Sequence, residues 1–127
     1  HSESEEVWPM EQSLYVKYGS RLTSGMAECI YDRVLTDSEL APFFEGIDID
    51  VLREHLADFL TVLTGGPNIY KGRDIYEAHR GFRITVAHFN RLVQHITAAA
   101  AELEIEPDDI ATVAAAIHDL KDQVVTA

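Results

Sequence analysis

The sequence predicts an all-α domain. Three observations carry this: apolar residues recur at three- and four-residue spacing in nearly every segment, no segment shows the alternation of a half-buried strand, and Gly or Pro separates the periodic runs. A chain of 127 residues is one domain of ordinary size, and 46% hydrophobic residues can fill a core without disulfide or metal staples. The formal net charge of −12 argues against nucleic acid or an anionic membrane surface as a partner, because both need clustered cations. The single Cys29 leaves no intrachain disulfide and no Cys-based zinc or iron–sulfur site. No run of about 18 apolar residues is available to span a bilayer. The first residues also lack the basic-then-apolar order of a signal peptide, so a soluble, cytoplasmic protein is expected.

Residues 1–12 are polar and acidic with Pro9 as a breaker, and read as a loose extension anchored only by Trp8; the folded domain is expected over 13–127. Leu14, Tyr15 and Tyr18 make a short amphipathic turn that Gly19 closes. Thr23 or Ser24 can cap a second helix through Met26, Ala27, Ile30, Tyr31, Val34 and Leu35, with Tyr31 facing inward. Asp37 can cap a short helical turn reaching Leu40, and Pro42 leads into a Phe43–Phe44 pair expected to be buried. Asp48 or Asp50 then caps a helix stopped by Gly65–Gly66–Pro67, whose stripe is Leu52, Leu56, Phe59, Leu60 and Leu63. His55 interrupts that stripe. A short helix carries Ile75, Ala78 and His79, with Gly81 two residues on to supply a left-handed end. Thr85 caps a long helix with Phe89, Leu92, Val93, Ile96, Ala99, Ala100 and Leu103 inward; His88 and His95 flank it, each placed to turn an edge to water. The last helix begins near Pro107, with Asp108 and Asp109 in its first turn, and buries Ile110, Val113, Ala114, Ile117 and Val124. Alanines at 98–101 and 114–116 allow close helix crossings.

The segment from Tyr70 to Phe89 concentrates cations around His79: Lys71, Arg73, Arg80 and Arg83 form a basic collar in an acidic chain, which fits a bound anion. Taken with His55 on an apolar face, the inward Tyr31 and the phenylalanine pair, the set fits a haem. Iron needs an imidazole, the porphyrin needs flat apolar walls, and its propionates need cations. The bland reading of each histidine is a hydrogen-bonded core or helix-end residue. A di-iron bundle would need repeated Glu-x-x-His pairs that are absent. Neither a G-x-S-x-G elbow nor a Gly-rich phosphate loop occurs, so no catalytic residue is assigned.

On the runs SLYVKYG, YDRVLTDSELAPFFEG, FLTVLTGGPNIYKGRDIYEAHRGFRIT and AHFNRLVQHI, the chain resembles the truncated haemoglobins of group I, with their two-over-two helical globin fold, from about Ser13 to Val125. The resemblance implies haem b with His79 of the AH-x-G run as proximal iron ligand. It implies Tyr31 as the distal hydrogen-bond donor, and Leu52, His55, Leu56 and Phe59 on the ligand side. Phe44 packs on the haem, Tyr70 and Arg73 lie near the propionates, and Ile75, Ile84, Phe89 and Leu92 are apolar haem contacts. Two departures stand out: Gly19–Ser20 replaces the family's usual Gly-Gly, and Leu52 and Leu56 occupy positions where many members carry glutamine. Leucine cannot donate a hydrogen bond, so ligand stabilisation is expected to rest on Tyr31, with His55 as a second donor.

His55 has two readings. It binds the iron opposite His79 when no gas is present, or it swings toward a propionate or solvent. The function implied is binding of dioxygen, carbon monoxide or nitric oxide, with an extension to nitric oxide dioxygenation served by an external reductase. A redox, electron-transfer or sensor haem protein, and a haem-free helical interaction domain, are the alternatives.

Overall fold

A computed structural model of the chain describes residues 13–70 and 74–127. The expected extension over 1–12 with Trp8, and the collar residues Lys71 and Arg73, lie outside the described residues. Among the described residues there are seven α-helices, two short 3-10 segments and no strand.

Helix α1 (Leu14–Tyr18) is capped by Ser13, whose Oγ accepts from the Val16 amide, and ends at Gly19 with φ +60°, a value that favours glycine. A 3-10 segment (Gly19–Leu22) leads to α2 (Ser24–Val34). Thr23 occupies the cap position of α2 without capping it, because its hydroxyl donates back to the Ser20 carbonyl. Asp37 caps a single hydrogen-bonded turn: its Oδ1 accepts from the Glu39 amide and its carbonyl from the Leu40 and Ala41 amides, and a 3-10 segment (Ala41–Phe44) follows. Helix α3 (Ile49–Leu63) starts at Asp48, whose carboxylate accepts from the Asp50 and Val51 amides, and stops at Thr64 and a left-handed Gly65. Helix α4 (Ile75–His79) is capped by Asp74. Helix α5 (Val86–Glu102) opens on a reciprocal cap: Thr85 Oγ1 accepts from the His88 amide and His88 Nδ1 accepts from the Thr85 amide. Helix α6 (Pro107–His118) ends sooner than its periodicity implies, and Asp119–Leu120 divide it from α7 (Lys121–Val124), which carries buried Val124.

The architecture is two helix pairs, α2 with α3 and α5 with α6, joined where α2 crosses α5; α4 lies against α7. Leu22, Met26, Val34, Leu60 and Phe89 are sealed at this junction, and Ala99 and Ala100 on α5 are equally buried, as close helix crossings require. No described helix is long and apolar enough to cross a membrane.

Three further expectations are corrected. Gly81 is not left-handed; α4 ends through an ordinary right-handed Arg80. The two phenylalanines are half-buried and separate: Phe44 meets the edge of Tyr31 at 5.6 Å, whereas Phe43 meets Phe82 at 6.2 Å and His88 at 4.9 Å. His95 is partly exposed, yet both its ring nitrogens are engaged by protein. Its Nε2 donates to buried Asp37 at 2.6 Å while its Nδ1 accepts from Arg33 Nε at 3.3 Å.

Candidate functional site

His79 closes α4, and its Nδ1 lies 2.7 Å from the carbonyl oxygen of Ile75, one turn back. A carbonyl only accepts, so Nδ1 carries the proton. Nε2 therefore keeps the lone pair, and the backbone fixes the ring's orientation. This is the arrangement an imidazole needs to ligate a metal through Nε2. Among the described residues no three His, Cys, Asp or Glu side chains converge as a metal cluster.

Across the fold, α3 presents an apolar face that the described residues cover only in part. Of α3 only Leu60 and Thr61 are buried, while Leu52, His55, Leu56, Phe59 and Leu63 are half-exposed. Leaving such a stripe open forgoes about 25 cal/mol for every Å². Phe59 and His55 both meet the ring of Tyr70 edge-on, at 5.8 and 6.3 Å. Burial pushes the Tyr70 phenol up. Tyr31 reaches the same region from α2. It is half-buried, its ring is held by Phe44, and burial raises its phenol to about 12 against the opposing charge of Arg53. Arg53 bridges Asp50 at 3.0 Å and Asp32 at 3.5 Å, which ties α3 to α2 beside Tyr31. Its Nε is buried with no hydrogen-bond partner among the described residues.

The residues singled out from the sequence fall into a consistent class. Tyr31, Phe44, Leu52, His55, Leu56, Phe59, Tyr70, Ile75, His79, Ile84 and Leu92 are all partly buried, neither sealed in the core nor free in solvent. That is how the walls of a cavity for an apolar cofactor look when only the protein is counted. Phe89 differs, being 1% exposed and packed against His118 at 5.6 Å, so it belongs first to the core. Arg73 lies outside the described residues. Of the remaining collar, Arg80 lies 3.7 Å from Glu77 and Arg83 is exposed.

Two polar clusters that hold this scaffold have no local signature in the sequence. Asp37 accepts from Arg91 Nε at 2.7–2.8 Å and from His95, and Arg33 continues the chain to Glu102 at 2.5 Å. The His95 bond first, and then Arg91, keep the Asp37 carboxyl well below the usual carboxylate range. Tyr18 Oη donates to Asp109 at 2.5 Å and accepts from the Glu106 amide at 3.1 Å, while Lys17 pairs with Asp109 at 2.8 Å. This second cluster pins α1 to the start of α6. Partners of this kind lie 54 to 92 residues apart, and no local pattern links them. A separate open cleft of about 420 Å³ is lined by Cys29, Arg33, His95 and Glu102. Burial and the adjacent Glu102 push the Cys29 thiol up, which makes it a poor nucleophile.

A family model described as bacterial-like globin matches residues 13–126. The group 1 truncated haemoglobin of Tetrahymena pyriformis is 35% identical over 115 residues, covering 89% of this chain and 95% of that protein. A group 1 truncated haemoglobin of Chlamydomonas moewusii is 32% identical over 115 residues, covering 88% of this chain and 67% of its own length. Among solved structures, the Fe(III) form of the Tetrahymena pyriformis truncated haemoglobin is similar with a TM-score of 0.85 and 31% identity, over 90% of this chain and 98% of that one. The cyanomet 2/2 haemoglobin from Synechococcus sp., which has covalently attached haem, matches with a TM-score of 0.83 and 26% identity, over 91% of this chain and all of that one.

Proposed function

We propose, from the premise that this chain belongs to the bacterial-like globin family and within it to the group 1 truncated haemoglobins, that it binds diatomic gases at haem b held by His79. The observation that carries the assignment is the His79 Nδ1–Ile75 carbonyl bond, since it leaves Nε2 free and aimed by the backbone. Haem, when bound, would supply the iron that His79 holds and to which a gas binds. Ile75, Ile84 and Leu92, with Phe44 and Phe59, would provide the apolar walls that exclude water. Arg73 and Tyr70 are the propionate neighbours in this reading.

On the ligand side Tyr31 is the donor. Its hydroxyl makes no hydrogen bond to another described residue, and its raised pKa keeps the proton in place throughout the physiological range. Leu52 and Leu56 offer no donor, and His55 is the second donor in this reading. We assign His55 as a second iron-binding side chain when no gas is present; its half-buried place, with the Tyr70 ring edge-on at 6.3 Å, supports this. Dioxygen, carbon monoxide and nitric oxide are the ligands proposed. Nitric oxide dioxygenation is proposed for the same site: nitric oxide and dioxygen become nitrate with one electron per turnover, delivered by a separate reductase.

Absorption spectra test both levels. Reconstitution with haem should give a Soret band and a carbon monoxide shift on reduction, and His79→Gly should lose both until imidazole is added. A parent protein that takes up no haem sinks the whole reading. A ferric spectrum that is low-spin in the parent and high-spin in His55→Leu supports His55 as ligand; a high-spin parent unchanged by the substitution removes that assignment alone.

A further inference from the structure

Five residues make a helix too short to hold itself in place, yet α4 carries the histidine on which the site depends. Something must fix the link from His79 to α5. Gly81 does not: its φ is ordinary, and a Cβ built on it would meet nothing within 4 Å. The constraint comes from the far end of the sequence. After α7 the chain runs back along the link, and Thr126 engages it four ways with its neighbour Ala127. The Thr126 and Ala127 amides donate to the Ile84 carbonyl at 2.9 and 3.1 Å. The Ile84 amide donates to Thr126 Oγ1 at 3.3 Å, and that hydroxyl donates onward to the Phe82 carbonyl.

These bonds continue to the imidazole without a break. The Phe82 amide donates to the His79 carbonyl at 3.0 Å, and His79 Nδ1 donates to Ile75. We infer that Thr126 is a positioning residue for the proximal histidine: its hydroxyl locks Phe82 and Ile84 and so fixes where His79 Nε2 points. The inference rests on the assignment of His79 as iron ligand. A threonine suits the task because one oxygen must both accept from an amide and donate to a carbonyl 42 and 44 residues away in sequence. Valine has the same shape and can do neither. Packing of α4 against α7, anchored by buried Val124, brings the two segments together.

The test compares Thr126→Val, Thr126→Ala and Thr126→Ser with Gly81→Ala as a control, every variant and its parent carrying His55→Leu so that a second histidine does not silence the iron–histidine band. In the reduced haem protein the iron–histidine stretching band in resonance Raman should shift and broaden in the valine and alanine variants. Haem transfer to excess apomyoglobin should run roughly tenfold faster, as loss of one or two shielded hydrogen bonds implies. In the haem-free protein the Ile84 amide should exchange faster with deuterium, a readout that needs no cofactor. Serine keeps the oxygen and should restore all three, and Gly81→Ala should change none. The inference is overturned if Thr126→Val keeps the parental band and a haem-transfer rate within about twofold of the parent. It is equally overturned if serine fails like valine, since the methyl group would then be what matters. A haem-loaded parent lacking any iron–histidine band would instead remove the assignment of His79, and the brace with it.

Discussion

Tyr31→Phe removes one hydroxyl and little else, because the ring keeps the edge of Phe44 at 5.6 Å and its place between α2 and α3. In the proposed site the hydroxyl is the donor that α2 offers to the ligand side, and the apolar Leu52 and Leu56 of α3 could not replace it. A hydrogen bond lost from a site shielded from water is worth about 1–3 kcal/mol. Expressed as a dissociation rate, that is roughly a five- to 150-fold acceleration. The assay is stopped-flow displacement of dioxygen by carbon monoxide from the reduced protein. Carbon monoxide is a far weaker acceptor, so its own dissociation should change much less, and the contrast between the gases separates a lost hydrogen bond from a loosened pocket. The parent should also show a dioxygen dissociation rate insensitive to Tyr31 ionisation from about pH 6 to about pH 10, because burial pushes that phenol up to about 12 and the donor stays protonated. A dioxygen dissociation rate in Tyr31→Phe within about twofold of the parent would refute the role of Tyr31, since no bond of ordinary strength is so cheap to lose.

Two leucines on one helix should separate folding from cofactor retention. Leu60 is 1% exposed, so Leu60→Ala should cost the haem-free protein about 2–5 kcal/mol in urea unfolding. Half-exposed Leu56 should cost clearly less there when cut to Ala and show itself as faster haem loss; equal effects of the two on the haem-free protein would contradict the idea that the α3 face is finished by the cofactor. For acid stability the sign follows from Asp37, whose carboxyl is held below its ordinary value of 3.8 by His95 and Arg91. A lowered folded-state pKa gives stabilisation that is complete above that value and drains away as pH falls beneath it. Asp37→Asn should therefore lower the urea midpoint at neutral pH and flatten its fall below about pH 4, whereas parallel curves for parent and variant would exclude Asp37 as the source. Cys29 should react with a disulfide reagent at neutral pH more slowly than a free thiol, and Glu102→Gln should speed it, because the adjacent carboxylate is one cause of the raised thiol pKa.

Helices were legible because their signals are local. Ser13, Asp48, Thr85 and Pro107 mark starts, and the three-four spacing of Met26, Ile30 and Val34 or of Phe89, Val93 and Ile96 marks inward faces that the structure buries. Most of the misses come from a distant partner that no local pattern marks; Thr23, whose partner lies three residues back, is the exception. Asp37 caps the turn to Leu40 as it looked able to, but also accepts from Arg91 and His95 of α5; Thr23 looked like a cap and turned back to Ser20; His95 looked like an edge residue and sits between Asp37 and Arg33. Gly81 looked like a helix stop, but the link beyond α4 takes its shape from Thr126, 42 to 44 residues from the groups it binds. Periodicity cannot carry information over such a span.

The site illustrates a subtler limit. A three-four apolar stripe says that a face is covered, not what covers it, and α3 and α5 carry stripes of equal regularity with opposite fates. On α5, protein seals Phe89, Val93, Ile96, Ala99 and Ala100. On α3 it seals only Leu60 and Thr61 and leaves Leu52, Leu56, Phe59 and Leu63 half open. What distinguishes the two in the sequence is His55, a titratable ring set within the α3 stripe rather than at its margin, where His88 and His95 flank α5. Burying an imidazole among leucines carries a cost unless both nitrogens find partners or a metal takes one. A histidine inside a stripe, paired with a second whose Nδ1 is already committed to its own backbone, therefore points to a face that a cofactor completes. The same reasoning makes Leu56 and Leu60, four residues apart on one helix, report on different things: Leu60 on whether the chain folds, and Leu56 on whether the folded chain keeps its haem.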